Sequence, residues 1–574
     1  MYDRRRFVQS ALALGALAFV GGCRGRLVRP PDCPQYQRPD GRIVIDAHCH
    51  IFNGSDLQVA GFVNQVGLGQ PDLSPLNLIG DIVQTLAWSL APTADEELRW
   101  LRRRRGGDPQ GTRPDTKALG SVPHPLSATL LDMGPDSDER YVEFWRRLHA
   151  FDDGAAKRSG LLRADDAPAR VDAFFRSLES DKSRAGVRNS AVPLRLQLQS
   201  RAGVEQALRE EEAGDGRVSA IVSFLKTFFR FRTENAWTMM QTYGCDSGAG
   251  LDLLCPAMVD FDLWLGDADR NRGRTRSPIE DQLKVMSEIA LATQGRVQAM
   301  APFNPLRAAC DPDAGYLRRA IETYGCIAFK VYPPMGFRAT DNAQVAQPAL
   351  KQCPGNRPVA TRPQLDRILH DFFSHCAEQG IPVMAHASDS NAAYAGAGAL
   401  AAPKFWEDLL GSYGREFAAD RTKLRINLGH MGGDHSTSAP NAWRERVAEA
   451  MLRFPGQVYA DLSYYEHMMG DADVRRALAR QMQMIKRDGV WQHTMYGSDW
   501  SMLAAQPRWR RYIDDFAGFI ERDLGLDAPQ RAALMGDTAR TFYGLRDGEP
   551  NMERLRRFHA TDDRGMDALT EALR

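Results

Sequence analysis

The chain's most chemically loaded stretch is Asp46-Ala47-His48-Cys49-His50, which closes an apolar run that begins at Arg42. Alternation along a strand puts Val44, Asp46, His48 and His50 on one face and Ile43, Ile45, Ala47 and Cys49 on the other. On that expectation the apolar set packs under outer helices, and two imidazoles point together from a single strand. Two such imidazoles can hold one divalent ion, and Asp46 on the same face is placed to orient one of them. A lone His-x-His is a common coincidence. Here three later apolar runs end in the same way: Ile-Pro-Val-Met-Ala-His386, Leu-Arg-Ile-Asn-Leu-Gly-His430 and Met-Tyr-Gly-Ser-Asp499. Neutral imidazoles with a carboxylate are a natural donor set for Zn²⁺ or a similar ion. Satisfied core histidines are the plain alternative, and they do not explain why all of them sit at run ends.

These side chains need elements to carry them. Strand-like runs recur at Arg42–Asp46, Leu253–Val259, Val297–Pro302, Ile327–Tyr332, Ile381–His386, Leu424–His430, Gln457–Leu462 and Thr494–Gly497, with helical segments between them. From strand four onward each step holds one strand–helix unit of at least ~30 residues. Eight such units predict an α/β fold, a (β/α)8 TIM barrel whose active residues stand at the C-terminal ends of the strands. The first gap breaks the rhythm. Residues 41–53 supply strand one, 54–250 read as a mainly helical insertion over the barrel mouth, 251–548 complete the barrel, and 549–574 form a C-terminal helical tail. Within the insertion, Asp95, Glu96 and Glu97 open a helix that closes on Arg102–Arg105. That arginine run reads as a solvated helix end before it reads as a phosphate or membrane contact.

Asp46-x-His48-x-His50-x-Phe52-Asn53, Gly-His430, Ala-Asp461-Leu-Ser463 and Gly-Ser-Asp499-Trp together resemble the amidohydrolase superfamily. They are most similar to its amidohydrolase-related branch, which includes aminocarboxymuconate-semialdehyde decarboxylase-like enzymes. The resemblance covers strand one and about 250–548, with the closing helix Arg531 to Leu545, and leaves out the insertion. It implies that His48, His50, His386 and Asp499 are metal ligands. It implies for His430 either ligation of a second metal or catalytic acid/base work, alongside Asp499 as general base. Lys330, at the end of strand four, takes the place of the metal-bridging carboxylated lysine of binuclear members. Substrate carboxylate binding or a plain ion pair are its other roles. The branch is usually mononuclear, so one Zn²⁺-like ion is expected ahead of two. Tyr332, Arg338 and the insertion are candidates for substrate selection. Asp461 is open to a role behind a metal ligand or to a purely structural one. His435, His467, His124, His149 and His559 read as solvated.

The expected chemistry is metal-dependent hydrolysis of a C–N or C–O bond in a small organic molecule. Non-oxidative decarboxylation of an unsaturated or aromatic acid is the alternative on the same ligands, and a lipid-anchored binding protein without turnover is the third reading. Serine-hydrolase chemistry is disfavoured because no G-x-S-x-G occurs. Gly396-x-Gly398-x-x-Ala401 imitates a dinucleotide fingerprint but lies ten residues past its strand.

Composition narrows the partners. The 574 residues carry 73 Lys+Arg against 73 Asp+Glu, so no global charge draws nucleic acid to the chain. With 43% hydrophobic and 25% charged residues it reads as globular. Nine cysteines include no C-x-x-C pair, which excludes a zinc ribbon. The start is different in kind. Arg4-Arg5-Arg6 precedes an apolar run from Phe7 to Val20, too short for a ~20-residue span. It resembles a twin-arginine export signal, and Val20-Gly21-Gly22-Cys23 resembles a bacterial lipobox. An exported protein, periplasmic or at the cell surface, lipid-anchored at Cys23 through a Pro-rich linker over 24–40, is the expectation. The oligomeric state has no signature in the sequence.

Overall fold

A computed structural model describes residues 42–58, 91–105, 227–228, 230–260, 275–310, 315–345, 360–389, 396–416, 423–433 and 442–573. The expected export signal, Cys23 and linker, most of the insertion, and His124, His149 and His435 lie outside them. Every one of the eight apolar runs becomes a strand: β1 Ile45–Cys49, β2 Leu253–Pro256, β3 Met300–Phe303, β4 Ala328–Val331, β5 Val383–His386, β6 Ile426–Gly429, β7 Val458–Asp461 and β8 Thr494–Met495. They are buried throughout, as parallel strands covered by helices must be.

The helices follow in the order the alternation predicts. Helices α1 (Ala94–Arg105) and α2 (Arg232–Met239) lie between β1 and β2. Then come α3 (Ile279–Ala292) after β2, α4 (Arg362–Gln379) after β4, α5 (Pro403–Glu416) after β5, α6 (Ala442–Arg453) after β6 and α7 (Ala472–Gln481) after β7. Helix α4 shows why such segments start and stop where they do. The Thr361 amide donates to Gln364 Oε1 at 2.7 Å, closing a capping box, and Gly380 ends the helix at φ 62, which a residue without Cβ adopts freely. Its Leu365, Leu369, Phe372, Phe373 and Cys376 form the face buried against the strands.

Strands β3 to β8 form one parallel ladder in chain order, and β1 pairs with β2 in another. The two seams are held by individual bonds. Leu254 bridges Val297 and Ala257 bridges Met300 at one seam. At the other, Ala47 N–H donates to the Tyr496 carbonyl at 3.0 Å and Ser498 N–H to the His48 carbonyl at 3.1 Å. The eight strands therefore run in the TIM-barrel order as two sheets, with β1 beside β8 and β2 beside β3 through single bonds and no continuous ladder at either seam.

Strand β1 departs from the simple alternation. Pro302, Lys330, Met384, Asn427 and Tyr459 are neighbours in register across β3 to β7, and Ile43, Ile45 and Ala47 share a cluster with Met300, Met384, Tyr459 and Met495. Those three apolar residues thus fill the barrel floor and do not pack under the outer helices. Asp46, between them, points the other way. The register slips between Asp46 and Cys49, so Ala47 and His48 turn to the same side and the histidines still enter the barrel. Cys49 then joins the outer cluster with Val44 and Ile51.

Two further pieces complete the frame. The described parts of the insertion are clasped to the barrel by Arg232, only 1% exposed. Its guanidinium donates from Nε to Asp56 Oδ2 at 2.8 Å and from Nη1 to Glu97 Oε2 at 2.9 Å, with Ser55 and Ser277 hydroxyls alongside. Glu97 also accepts from the Thr233 amide and hydroxyl, so every charge in this buried group is paired. At the opposite end, α8 (Pro550–His559) and α9 (Asp567–Ala572) place Met552, Leu555 and Leu569 in the floor cluster. No helix among the described residues is long and apolar enough to cross a membrane.

His559, expected in solvent, is 1% exposed, with its Nε2 2.6 Å from Gln298 Nε2. His467 is half-buried on the turn Glu466–Met469. Burial lowers the His559 pKa to about 4, against the partial support of the Gly565 backbone and Asp562. A histidine that ionises near 6.5 in the unfolded chain and near 4 in the folded one stabilises the fold above pH 6.5. That contribution is lost as pH falls from 6.5 through 4, with a ceiling of ~3 kcal/mol. Melting temperature followed from pH 7 to pH 4 should decline, and His559→Gln should flatten that decline. An unchanged slope in the variant would remove His559 from the acid response.

Candidate metal centre

Three strand ends converge at the barrel mouth through β1. His48 Nε2 lies 3.6 Å and His50 Nε2 3.0 Å from the same oxygen, Asp499 Oδ1. Donor atoms around one tetrahedral ion with bonds near 2.0 Å stand about 3.3 Å apart, so these spacings match donors converging on a shared ion. One donor atom each from His48, His430 and Asp499 falls within 4.8 Å of the others. His386 Nδ1 stands 3.1 Å from His430 Nε2, and the His48 and His430 ring centres are 4.6 Å apart. The four histidines and the aspartate singled out by their run-end positions therefore occupy one cluster.

Each ring is held from behind. His50 Nδ1 is 2.6 Å from the Ala257 carbonyl at the end of β2. His48 Nδ1 lies 3.1 Å from both oxygens of Asp461, which sits in β7. Asp461 thus stands behind His48, the position expected of Asp46. The Asp46 carboxylate accepts the backbone amides of His48 and Ser498, each at 3.1 Å, and so pins the turn of β1 to the segment that carries Asp499. The imidazole partner is Asp461, a carboxylate behind a histidine of the kind that fixes ring orientation in metal sites.

Two of the cluster's backbones are strained. His430 and Asp499 are non-glycine residues at φ 64 and 56, a region costing on the order of 1–3 kcal/mol each. Compensation is visible. The His430 amide donates to Asp461 Oδ1 at 3.0 Å, and its carbonyl accepts from the Tyr465 hydroxyl at 3.0 Å. The Asp499 amide donates to the His48 carbonyl at 2.7 Å.

The electrostatics prepare the donors. Burial lowers the His48 pKa to about 3 despite the opposing pull of Asp461. Burial also depresses His386 and His430, and for His386 the neighbouring His430 and Lys330 add to it. Burial would raise Asp499, but the His50 hydrogen bond and the nearby His430 bring it down to about 2. Asp461 is likewise held below the ordinary carboxylate range, chiefly by His48, in spite of its burial. Neutral imidazoles and ionised carboxylates are the states that bind a cation without first releasing protons. Donor spacing among His48, His50 and Asp499, the grouping of His48, His430 and Asp499 and the chemistry of these donors fit a divalent ion.

Lys330 rises from β4 inside the barrel, its Nζ 3.5 Å from His48 Nε2 and 3.6 Å from Met384 Sδ. Burial lowers its pKa to about 8, with Asp461 and Asp499 acting in the other direction. Tyr332 lies over His386, ring centres 4.5 Å apart. Arg338 goes elsewhere: its guanidinium stacks on Phe405 at 4.3 Å. The residues to which sequence reasoning gave no role are Asn427, Ser463 and Tyr465. Asn427 left a signal, a polar residue within the apolar run of β6, and it donates to Asp461 Oδ2 at 2.8 Å. Ser463 stood in the motif Ala-Asp461-Leu-Ser463 without a role of its own, and Tyr465 left no signal, since its value lies in what it touches.

Residues 288–545 match the amidohydrolase family. That span takes in Lys330, His386, His430, Asp461 and Asp499 but begins after β1 and β2. No curated protein matches the chain in sequence. Among solved structures it is similar to 2,6-dihydroxybenzoate decarboxylase in complex with 2,6-dihydroxybenzoate, at 15% identity over 54% of this chain and 87% of that one, with a TM-score of 0.34. It is similar to 4-oxalomesaconate hydratase from Rhodopseudomonas palustris, at 17% identity over 61% and 93%, TM-score 0.34. An amidohydrolase from Burkholderia multivorans with bound zinc gives 16% identity over 52% and 84%, TM-score 0.33.

The glycines flanking the site make its tightness testable. A Cβ on Gly497 would stand 2.9 Å from His48 Cβ and 3.0 Å from Ser463 Cβ, atoms fixed to their own backbones. Gly497→Ala should therefore displace His48, cost ~1–3 kcal/mol of stability and weaken metal retention in equilibrium dialysis at least tenfold. Wild-type retention in a folded variant would show that the approach is looser than drawn.

Proposed function

We propose that this chain is a metal-dependent hydrolase of the amidohydrolase family that cleaves a C–N or C–O bond in a small organic substrate. The observation that carries the reading is Asp499. Its Oδ1 is shared by His48 and His50 while its backbone is held in a strained left-handed conformation. His48, His50 and His386 are the other residues that would hold the ion, most simply a single Zn²⁺. Such an ion would supply a nucleophilic water at neutral pH and polarise a substrate oxygen.

The chain's own groups do the rest. Both β1 imidazoles lie on Asp499 Oδ1, which leaves Oδ2 to take a proton from the attacking water and hand it to the leaving group. His430, anchored on a rigid backbone, brings its Nε2 to the substrate side for acid/base work. Burial of His386, His430 and Asp499 to less than a tenth of full exposure keeps bulk water out and strengthens each of these interactions. Tyr332, stacked on His386, lines the same mouth.

Lys330 supports a second reading. Its buried ammonium contacts an imidazole, a thioether and an aromatic face, and lies near a substrate's path without a direct carboxylate bond. A substrate carboxylate placed there makes non-oxidative decarboxylation the alternative on the same ligands. Export and tethering at Cys23 is also part of our reading. Cys245 is disulfide-bonded, as suits an oxidising compartment, while Cys49, Cys255, Cys326 and Cys376 are free and buried.

Elemental analysis of the purified full chain should find about one divalent ion per molecule, and His48→Ala with His50→Ala should remove it. A metal-free wild type would end the reading. A substrate screen on metal-loaded protein, following hydrolysis products and CO₂ together, separates the two reactions: CO₂ release without water uptake overturns the hydrolase. With a substrate in hand, Asp499→Asn should keep the fold and lose turnover by a factor of at least 10². Full activity in that variant would take the base role from Asp499.

A further inference from the structure

Ser463 follows β7 and is 1% exposed. Its hydroxyl meets three partners: Asp461 Oδ1 at 2.5 Å, His48 Nδ1 at 2.8 Å and His430 Nδ1 at 2.9 Å. A hydroxyl has one proton and two lone pairs, so the three contacts have to be shared out.

Asp461 fixes the first share. Its Oδ1 receives the backbone amides of His430 and Ser463 at 3.0 and 3.2 Å, and its Oδ2 receives the Asn427 amide at 2.8 Å. None of those groups can accept, so the carboxylate is an acceptor on both oxygens and the Ser463 proton goes to it. The two hydroxyl lone pairs then face His48 and His430, and both rings must carry their proton on Nδ1. An independent contact agrees for His430: its Nδ1 is also 3.3 Å from the Ser463 carbonyl oxygen, which can only accept.

We propose that Ser463 is the positioning residue that fixes the tautomer of His430, leaving an unprotonated Nε2 towards the substrate. His430 then enters the reaction as a proton acceptor and not as an acid. The assignment of His430 as acceptor in catalysis rests on the function proposed above. The tautomer itself does not.

The two histidines differ in what else holds them. His48 Nδ1 also contacts both Asp461 oxygens directly, whereas His430 Nδ1 has only Ser463. Ser463→Ala should therefore separate them. Full chain labelled with ¹⁵N-histidine, metal-free, is read by long-range ¹H–¹⁵N correlation, with His430 assigned through its loss in His430→Gln. Wild type should show His430 protonated on Nδ1 alone. In Ser463→Ala only the more distant carbonyl is left to accept from His430 Nδ1, so the His430 signals should shift towards a mixture of tautomers while those of His48 stay put, and Ser463→Thr should restore the wild-type pattern. A wild-type His430 protonated on Nε2 overturns the proposal without any variant, and so does an unchanged His430 in Ser463→Ala. Because the measurement uses metal-free protein, it stands or falls separately from metal content and turnover.

Discussion

A single buried carboxylate organises the mouth of this barrel. Asp461 gathers His48 Nδ1, the Asn427 amide, the Ser463 hydroxyl and the backbone amides of His430 and Ser463. Removing a carboxylate from water is expensive unless its lone pairs are filled, and these donors fill them. The same bonds tie together three strands, β1, β6 and β7. Stabilising the charge and positioning the site are thus one and the same set of contacts. Without Asp461, His48 would lose its orientation and His430 the amide bond that holds its left-handed backbone.

The barrel around this point behaves as two halves with unequal duties. Strands β3 to β8 form an uninterrupted ladder that delivers Lys330, His386, His430, Asp461 and Asp499. Strand β1 brings His48 and His50, yet it is joined to β8 by individual bonds, with Asp46 tying its bend to Ser498. The Arg232 clasp performs the corresponding task on the outside, tying both described ends of the insertion to the loop after β1. Neither device is part of the chemistry. Each keeps a ligand-bearing strand from drifting against its neighbours.

Much of this was legible in the sequence. Apolar runs located all eight strands, and the histidines and aspartate closing four of them located the cluster, because burial and strand-end position leave a linear trace. The facing of β1 was not legible. A register slip depends on the partner strand, and β2 lies some two hundred residues away. Asp461 was visible but its role stayed open, because its partner His48 is 413 residues earlier. Asn427 could have been found as a polar residue within an apolar strand. His559 could have been found too: Met552, Leu555 and His559 fall on one helical face at spacings of three and four, beside Phe558.

The separation between β1 and the strands that complete it has a temporal side. Tyr543, on the helix that closes the barrel, donates its hydroxyl to the Ala47 carbonyl 496 residues earlier. Strand β1 can pair with β2 once residue 256 exists, but its bonds to the segment after β8 and to Tyr543 wait until almost the whole chain has been made. Contacts of such high sequence separation form late because loop closure must come before any gain from them. Until then His48 and His50 have no Asp499 beside them. On the ligand set proposed above, loading of the ion is tied to these last contacts, so occupancy of the site would double as a record that the chain has finished.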